Sequence, residues 1–148
     1  MTELDQGATA SEKPDSKINA EFADREFYRF CDLMDLDVDD SKLDEEEAKS
    51  LADLKTVVTD AVMAGSLVFN DDGEPTYTPQ RSDDVNPITF KEPTGATMTA
   101  MDRKKQGEDA GKLFATMAQL SGVGAKTFVN MKNKDLKVLM ALVTLFLG

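Results

Sequence analysis

Apolar residues recur at helical intervals in the first half of the chain, and this period limits the folds that are open to it. The first stripe is spaced at i, i+4, i+7 and i+11, which places its four members on one helix face: Ala23, Phe27, Phe30 and Met34. A second stripe runs from Ala48 to Val62, directly after four acidic residues that favour the positive end of a helix dipole. Gly65 follows it and is a typical helix stop. We therefore predict two amphipathic helices that pack as a hairpin over residues 17–65.

The middle of the chain changes to a β pattern. Leu67-Val68-Phe69 and Thr76-Tyr77-Thr78 are short runs of strand-favouring residues, and the turn Asn70-Asp71-Asp72-Gly73 lies between them. An Asp-Gly turn between two such runs is typical of a β-hairpin. Pro87 to Glu92 alternates in character and predicts a third short strand. Residues 66–92 are therefore expected to form a small antiparallel element of two or three strands with a polar connector.

Helical patterns return in the last third of the chain. Thr94 or Thr97 can cap a first helix, which Gly107 and Gly111 are expected to interrupt. Three further helical segments follow, at residues 113–120, at residues 125–131 and after Asn133. We therefore predict an α+β protein that is mostly α. It has about five helices, a small antiparallel β element in the middle, and a helical carboxy-terminal module over residues 93–148.

The residue types that are missing restrict the chemistry of this chain. It has no histidine, no tryptophan and one cysteine, Cys31. Without histidine, a serine or cysteine triad cannot be assembled, and the commonest metal ligand is missing. The many carboxylates cluster in solvated runs, not in the apolar stretches that raise a carboxyl pKa. We expect a protein without catalytic activity or cofactor, in which Cys31 is a small buried apolar residue.

Charge is distributed unevenly along the chain, whose net charge is −11. Residues 1–50 hold 16 acidic and six basic residues, whereas residues 101–148 hold four acidic and eight basic ones. We interpret this asymmetry as an acidic solubilising arm joined to a basic and apolar binding module. Residues 1–16 predict a disordered acidic lead and no signal peptide. No apolar run is long enough to cross a bilayer, so we expect a soluble intracellular protein with no membrane partner.

The acidic segment between the first two helices partly matches a calcium-binding EF-hand loop. Four carboxylates occupy loop positions 1, 3, 5 and 12: Asp35, Asp37, Asp39 and Glu46. Asp40, however, stands where the loop needs glycine for its sharp turn, and Lys42 stands where an apolar residue pairs two such loops. An acidic turn between helices explains the segment better, and a metal site is the weaker alternative.

A glycine-rich turn near the carboxyl end provides an alternative function. Gly122-Val123-Gly124, followed by Lys126, resembles a helix-hairpin-helix turn, whose backbone amides hold a DNA phosphate. The chain is strongly acidic and contains no strongly basic domain, which argues against nucleic acid. A turn between two helices explains the glycines better, and a small nucleic-acid-binding protein using Gly122, Gly124 and Lys126 is kept as the alternative.

A longer pattern of short motifs runs through the carboxy-terminal half of the chain. It begins with a short strand that ends in Glu92-Pro93-Thr94-Gly95 and is followed by helices. It continues through Leu120-Ser121-Gly122-Val123, then through the helix start Asn133-Lys134-Asp135-Leu136 and an apolar last helix. Over roughly residues 86–148, this pattern resembles the tail assembly chaperones of long-tailed bacteriophages.

This resemblance implies a binding function and no reaction. Proteins of this family coat the tape-measure protein in the host cytoplasm, bring tail tube subunits to it, and are absent from the finished particle. Methionines and the apolar last helix suggest where a partner would bind. We predict a surface of six residues: Met117, Leu139, Met140, Val143, Phe146 and Leu147. Self-association, and a role as a virion structural or adaptor subunit, are the other possibilities.

Overall fold

The computed structural model describes residues 16–83, 85–102 and 109–147. This part of the chain is mostly helical and contains six helices and one small antiparallel sheet, which confirms the predicted fold class. The helices are α1 (Ser16–Leu33), α2 (Glu45–Met63), α3 (Gly95–Asp102), α4 (Asp109–Ser121), α5 (Ala125–Val129) and α6 (Asn133–Leu147). The strands are β1 (Leu67–Phe69), β2 (Pro75–Tyr77) and β3 (Ile88–Thr89), and a 3₁₀ turn covers Asp40–Lys42. The predicted lead lies outside the described residues, except that Ser16 begins α1.

Helices α1 and α2 pack against each other, as the two apolar stripes predict. All four members of the first stripe are buried. A capping box begins α2: the Asp44 side chain accepts a hydrogen bond from the Glu47 amide at 2.8 Å, and the Glu47 side chain accepts one from the Asp44 amide at 3.1 Å. After α2 the chain turns at Gly65, which has a φ of +81°.

The sheet has the strand order β1-β2-β3, with antiparallel pairing throughout. In the predicted turn, the Asn70 side chain accepts hydrogen bonds from the amides of Asp72 and Glu74, both at 2.9 Å. The guanidinium group of Arg29, on α1, donates to the carbonyl oxygens of Phe69 and Asn70, at 2.9 and 3.0 Å. It also forms an ion pair with Glu26 at 2.9 Å. Helix α1 is therefore bound to the end of strand β1.

One hydrophobic core joins the first half of the chain to the last helix. Helix α6 packs against α2 and α4, and its inner residues Leu139, Leu142 and Val143 are completely or almost completely buried. The Phe30 ring stacks on Phe69 with centroids 4.7 Å apart and forms a T-shaped pair with Phe146, with centroids 5.5 Å apart. The acidic helices α1 and α2 are thus part of the core, so they do not form the separate acidic arm that the charge pattern suggests.

The interruption predicted near two glycines is wrong at one of them. Gly111 is the third residue of α4, where the structure continues as a regular helix. A single glycine lowers helix stability by only ~0.5–1 kcal/mol relative to alanine, through the conformational freedom that its backbone loses, so one glycine does not have to end a helix. Gly107 lies outside the described residues. None of the helices in the described ranges has the length and apolar character needed to span a bilayer.

Candidate partner-binding groove

Asp135 fixes the start of α6 against the connector that follows the sheet. Its carboxylate is completely buried. One oxygen accepts hydrogen bonds from the Tyr77 hydroxyl at 2.6 Å and the Gln80 amide at 2.7 Å. The other accepts from the Ser82 hydroxyl at 2.8 Å and the Arg81 amide at 2.9 Å. Each carboxylate oxygen therefore has two donors, and residues 77–82 are bound to the beginning of the last helix.

The surroundings of Asp135 keep this buried group ionised. Burial acts to raise the pKa of its carboxyl, but the hydrogen bonds from Tyr77, Gln80, Ser82 and Arg81 outweigh burial and hold that pKa below the usual value. The same burial, with the bond to Asp135, raises the pKa of the Tyr77 hydroxyl. At neutral pH this is a charged acceptor with four donors and no free position, which suits a structural link and not proton transfer.

A groove of about 610 Å³ lies at the other end of α6. The loop after α1, the beginning of α2 and the last turn of α6 enclose it. Its floor is apolar, and the apolar lining residues are Leu36, Val38, Leu43, Leu51, Leu54, Leu145, Phe146 and Leu147. Its rim is acidic, and the acidic lining residues are Asp35, Asp37, Asp44, Glu46 and Glu47. The groove thus combines apolar contact area with negative charge.

Local hydrogen bonds shape the loop that forms one wall of the groove. Asp35 has a φ of +56°, and the Leu36 amide donates back to the Cys31 carbonyl at 2.8 Å, which closes the end of α1. The Asp37 side chain accepts from the Asp39 amide at 3.1 Å. These turns leave Leu36 and Val38 half-buried between the core and the groove.

The six residues of the predicted binding surface are not brought together. Leu139 and Val143 are completely buried, because α2 and α4 cover the inner face of α6. Met117, on α4, is also completely buried. Met140 is 38% exposed but does not line the groove. Phe146 is half-buried and Leu147 is 44% exposed, and both line the groove.

The apolar residues of the acidic loop were missed by the sequence prediction. Leu36 and Val38 lie between aspartates, and Leu43 lies between Lys42 and Asp44, so the sequence indicates only an acidic turn there. The alternation of apolar and acidic residues at 35–39 is the signal that could have revealed them. Such alternation turns apolar side chains to one side and carboxylates to the other.

The weaker metal alternative finds no converging ligands. Among residues 16–83, 85–102 and 109–147, no three His, Cys, Asp or Glu side chains come together as a possible metal site. The Asp39 carboxylate instead accepts hydrogen bonds from the Ser41 hydroxyl at 2.7 Å and the Ser41 amide at 3.0 Å. These bonds lower the pKa of Asp39. Asp35, Asp37 and Glu46 belong to the rim of the groove.

The glycine-rich turn joins α4 to α5. Gly122 has a φ of +74°, and its amide donates to the Ala118 carbonyl at 2.8 Å. Gly124 precedes α5 without a side-chain cap, and Lys126 is exposed. The backbone therefore ends one helix and begins a short one of five residues. Nucleic-acid binding by this turn stays a prediction.

Cys31 is buried, as predicted. Burial, with a smaller contribution from the charge of Asp32, raises the pKa of its thiol to about 12. The thiol is therefore protonated at neutral pH. In this position Cys31 fills space in the core next to the helix end that forms the groove wall.

Comparisons with protein-family models, with curated proteins and with solved structures gave no match for this chain.

Proposed function

We propose that this protein is a bacteriophage tail assembly chaperone that binds the tape-measure protein and tail tube subunits in the host cytoplasm and catalyses no reaction. The single observation that carries the proposal is the groove, with its apolar floor and acidic rim. It offers contact area for apolar side chains of a partner, and a negative rim that limits which partners fit. The family itself comes from the sequence pattern over residues 86–148.

The segments that carry the resemblance contact one another, which supports interpreting them as one module. The Lys91 amide, next to strand β3, donates to the carbonyl of Leu120 at 3.0 Å. The Thr97 hydroxyl, in α3, donates to the Gln119 side chain, in α4. Asp135 belongs to the helix start in the same pattern, and its buried carboxylate explains why aspartate suits that position.

The charge of the chain suits this role. An aggregation-prone client exposes apolar surface, and a partner that covers it must keep the complex soluble. A net charge of −11 gives each bound copy a strong repulsion from other copies and complexes. Coating a long client requires many copies, so modest affinity at each contact is sufficient.

The test is co-expression of the full chain with the tape-measure protein of the phage that encodes it. We expect the client to move from the insoluble to the soluble fraction and to elute together with this protein in gel filtration. A groove variant, Leu147→Ser, should reduce the soluble client, whereas Val129→Ser, at an exposed apolar residue outside the groove, should not. A client that stays insoluble with the unchanged chain would remove the proposal.

Two measurements separate the other candidates. Mass spectrometry of purified particles should detect no copy of a chaperone, whereas a virion structural or adaptor subunit would be found there. A gel shift with duplex DNA at moderate salt tests the glycine-rich turn, and binding that Lys126→Ala weakens would favour the nucleic-acid alternative. Sedimentation of the isolated chain measures self-association.

A further inference from the structure

The charge around the groove has one sign. Its rim carries five carboxylates, and none of the described residues that line it is a lysine or arginine. Lys42 is the nearest described cation in contact with the rim, with its ammonium group 4.0 Å from Asp37 and its side chain 69% exposed. Lys42 carries one positive charge, so it offsets at most one of the five carboxylates of the rim. The rim is therefore negative as well as close to apolar surface.

We infer that the groove binds an amphipathic helix whose apolar stripe is flanked by lysines or arginines. The groove walls are helix ends and a loop, with no strand among the lining residues, so an extended peptide would find no sheet edge to join there. Its volume of about 610 Å³ accommodates several large side chains, such as those a helix presents at i, i+3 or i+4, and i+7. The negative rim selects cationic flanks.

Charge also argues against a second copy of this chain as the occupant. The chain carries a net charge of −11, so a second copy would approach an acidic rim with a molecule of the same sign. A basic segment of a different protein gains attraction instead of repulsion. The inference rests on the proposed function only for the natural source of that segment, which would be a helix of the client.

The binding experiment uses three synthetic helical peptides and the full chain. The first has leucines at i, i+4, i+7 and i+11 with lysine flanks, the second replaces every lysine by glutamate, and the third keeps the lysines but moves the leucines off the stripe. Fluorescence anisotropy should show binding of the first and a loss of at least ~10-fold for the second. It should show a similar loss for the third, because scattered leucines cannot reach one groove together.

Raising the salt concentration should weaken the complex with the first peptide. Equal binding of the lysine and glutamate peptides would overturn the inference.

Two neighbouring glutamates supply a matched pair of variants. Glu46 lines the groove, whereas Glu45 lies beside it in the first turn of α2 and does not. Either change to lysine removes the same favourable charge from the start of the helix, so both variants should melt alike. Glu46→Lys should weaken the lysine peptide by roughly 3- to 10-fold, and Glu45→Lys by less than about 2-fold. Equal losses at the two positions would place the binding site elsewhere.

The peptide result and the client result are independent. If the lysine peptide does not bind but the chain still keeps its client soluble, the inference of a basic helix in the groove falls and the proposed function stands. If the peptide binds as expected and the client stays insoluble, the groove recognises a basic helix and the proposed function falls.

Discussion

Asp135 is a completely buried charge that the fold fully satisfies. Ionised carboxylates are costly inside a protein unless every lone-pair direction finds a donor. Here the donors come from Tyr77 and three residues of the following connector, at separations of 53 to 58 residues in sequence. The position within the first turn of α6 adds the favourable helix dipole. The side chain is therefore a long-range link between the sheet and the last helix.

Replacing Asp135 by asparagine should lower the free energy of unfolding by ~2–4 kcal/mol, because hydrogen bonds to a charged group are lost and an amide NH₂ then faces buried donors. Urea denaturation measures this change. The control is Asp53→Asn, at an exposed position of α2, where we expect a change within about 0.5 kcal/mol. If the two substitutions lowered the free energy of unfolding equally, the buried hydrogen bonds of Asp135 would not contribute more to stability than an exposed aspartate does.

The stability contributed by Asp135 should depend on pH in the acidic range. The folded state lowers the pKa of this carboxyl, and an unfolded chain has an aspartate pKa of about 3.9. The contribution is therefore fully present above that value and is lost as pH falls through the folded pKa. The difference in unfolding free energy between the unchanged chain and Asp135→Asn should stay constant from about pH 7 to 5 and shrink below about pH 4. The Glu26 carboxyl also has a lowered pKa, through its bond to Arg29, but it is present in both proteins and cancels. A difference that grew towards acid would contradict this assignment.

At the scale of the elements, the turn between β1 and β2 is held close to α1. Gly73 has a φ of +84°, and a Cβ atom placed on it would lie 2.8 Å from the Cβ of Leu33. Gly65 has a similar φ of +81°, but a Cβ there would meet nothing within 4 Å. The two glycines therefore separate the cost of the backbone conformation from the cost of a collision.

Gly73→Ala should lower the free energy of unfolding by ~2–4 kcal/mol, because alanine is unfavourable in the left-handed conformation and its Cβ would also overlap with α1. Gly65→Ala should lower the free energy of unfolding by only ~1–2 kcal/mol, since only the backbone conformation is unfavourable for alanine there. Thermal or urea denaturation of the two variants measures the difference. Equal losses would mean that the turn moves away from α1 at little cost.

The helices and strands could be predicted because their signals are local. The helical spacing of Ala23, Phe27 and Phe30, and the Asp72-Gly73 turn between two β-favouring runs, are each contained within a few residues. The groove could not be predicted in the same way. It combines Leu36 and Leu51 with Phe146, and nothing in a single sequence shows that these distant residues come together.

At the scale of the whole molecule, α6 is a central helix. Its sequence shows a broad apolar face but does not show which surface covers that face. The structure gives the answer for most of the helix, because α2 and α4 bury it and only its last turn opens into the groove. The predicted surface was too large for this reason. The charge count also could not show that the acidic first half forms part of the core, because charged residues on an outer face say nothing about the inner one.

Deleting residues 136–148 should abolish cooperative unfolding, because it removes Leu139, Leu142 and Val143 from the centre of the core. Circular dichroism during heating would show a broad, gradual loss of helix in place of a transition. The point variant Leu147→Ser should keep the transition, since that side chain is exposed. If the shortened chain unfolded as sharply as the full one, α6 would not be central. Loss of client binding in the deletion would therefore report on folding, and the point variant is the one that reports on the groove.

The hydrogen bonds from Arg29 to the carbonyl groups of Phe69 and Asn70 affect how copies of this protein can associate. β1 is an outer strand of the sheet, and outer strands with free carbonyl groups can join strands of neighbouring molecules. In the proposed role, many copies lie side by side on one client. Strand pairing between such neighbours would join them into a fibre. Because Arg29 already donates to the carbonyl groups at the end of β1, it hinders this strand pairing. In the proposed role, neighbouring copies would therefore remain separable from one another.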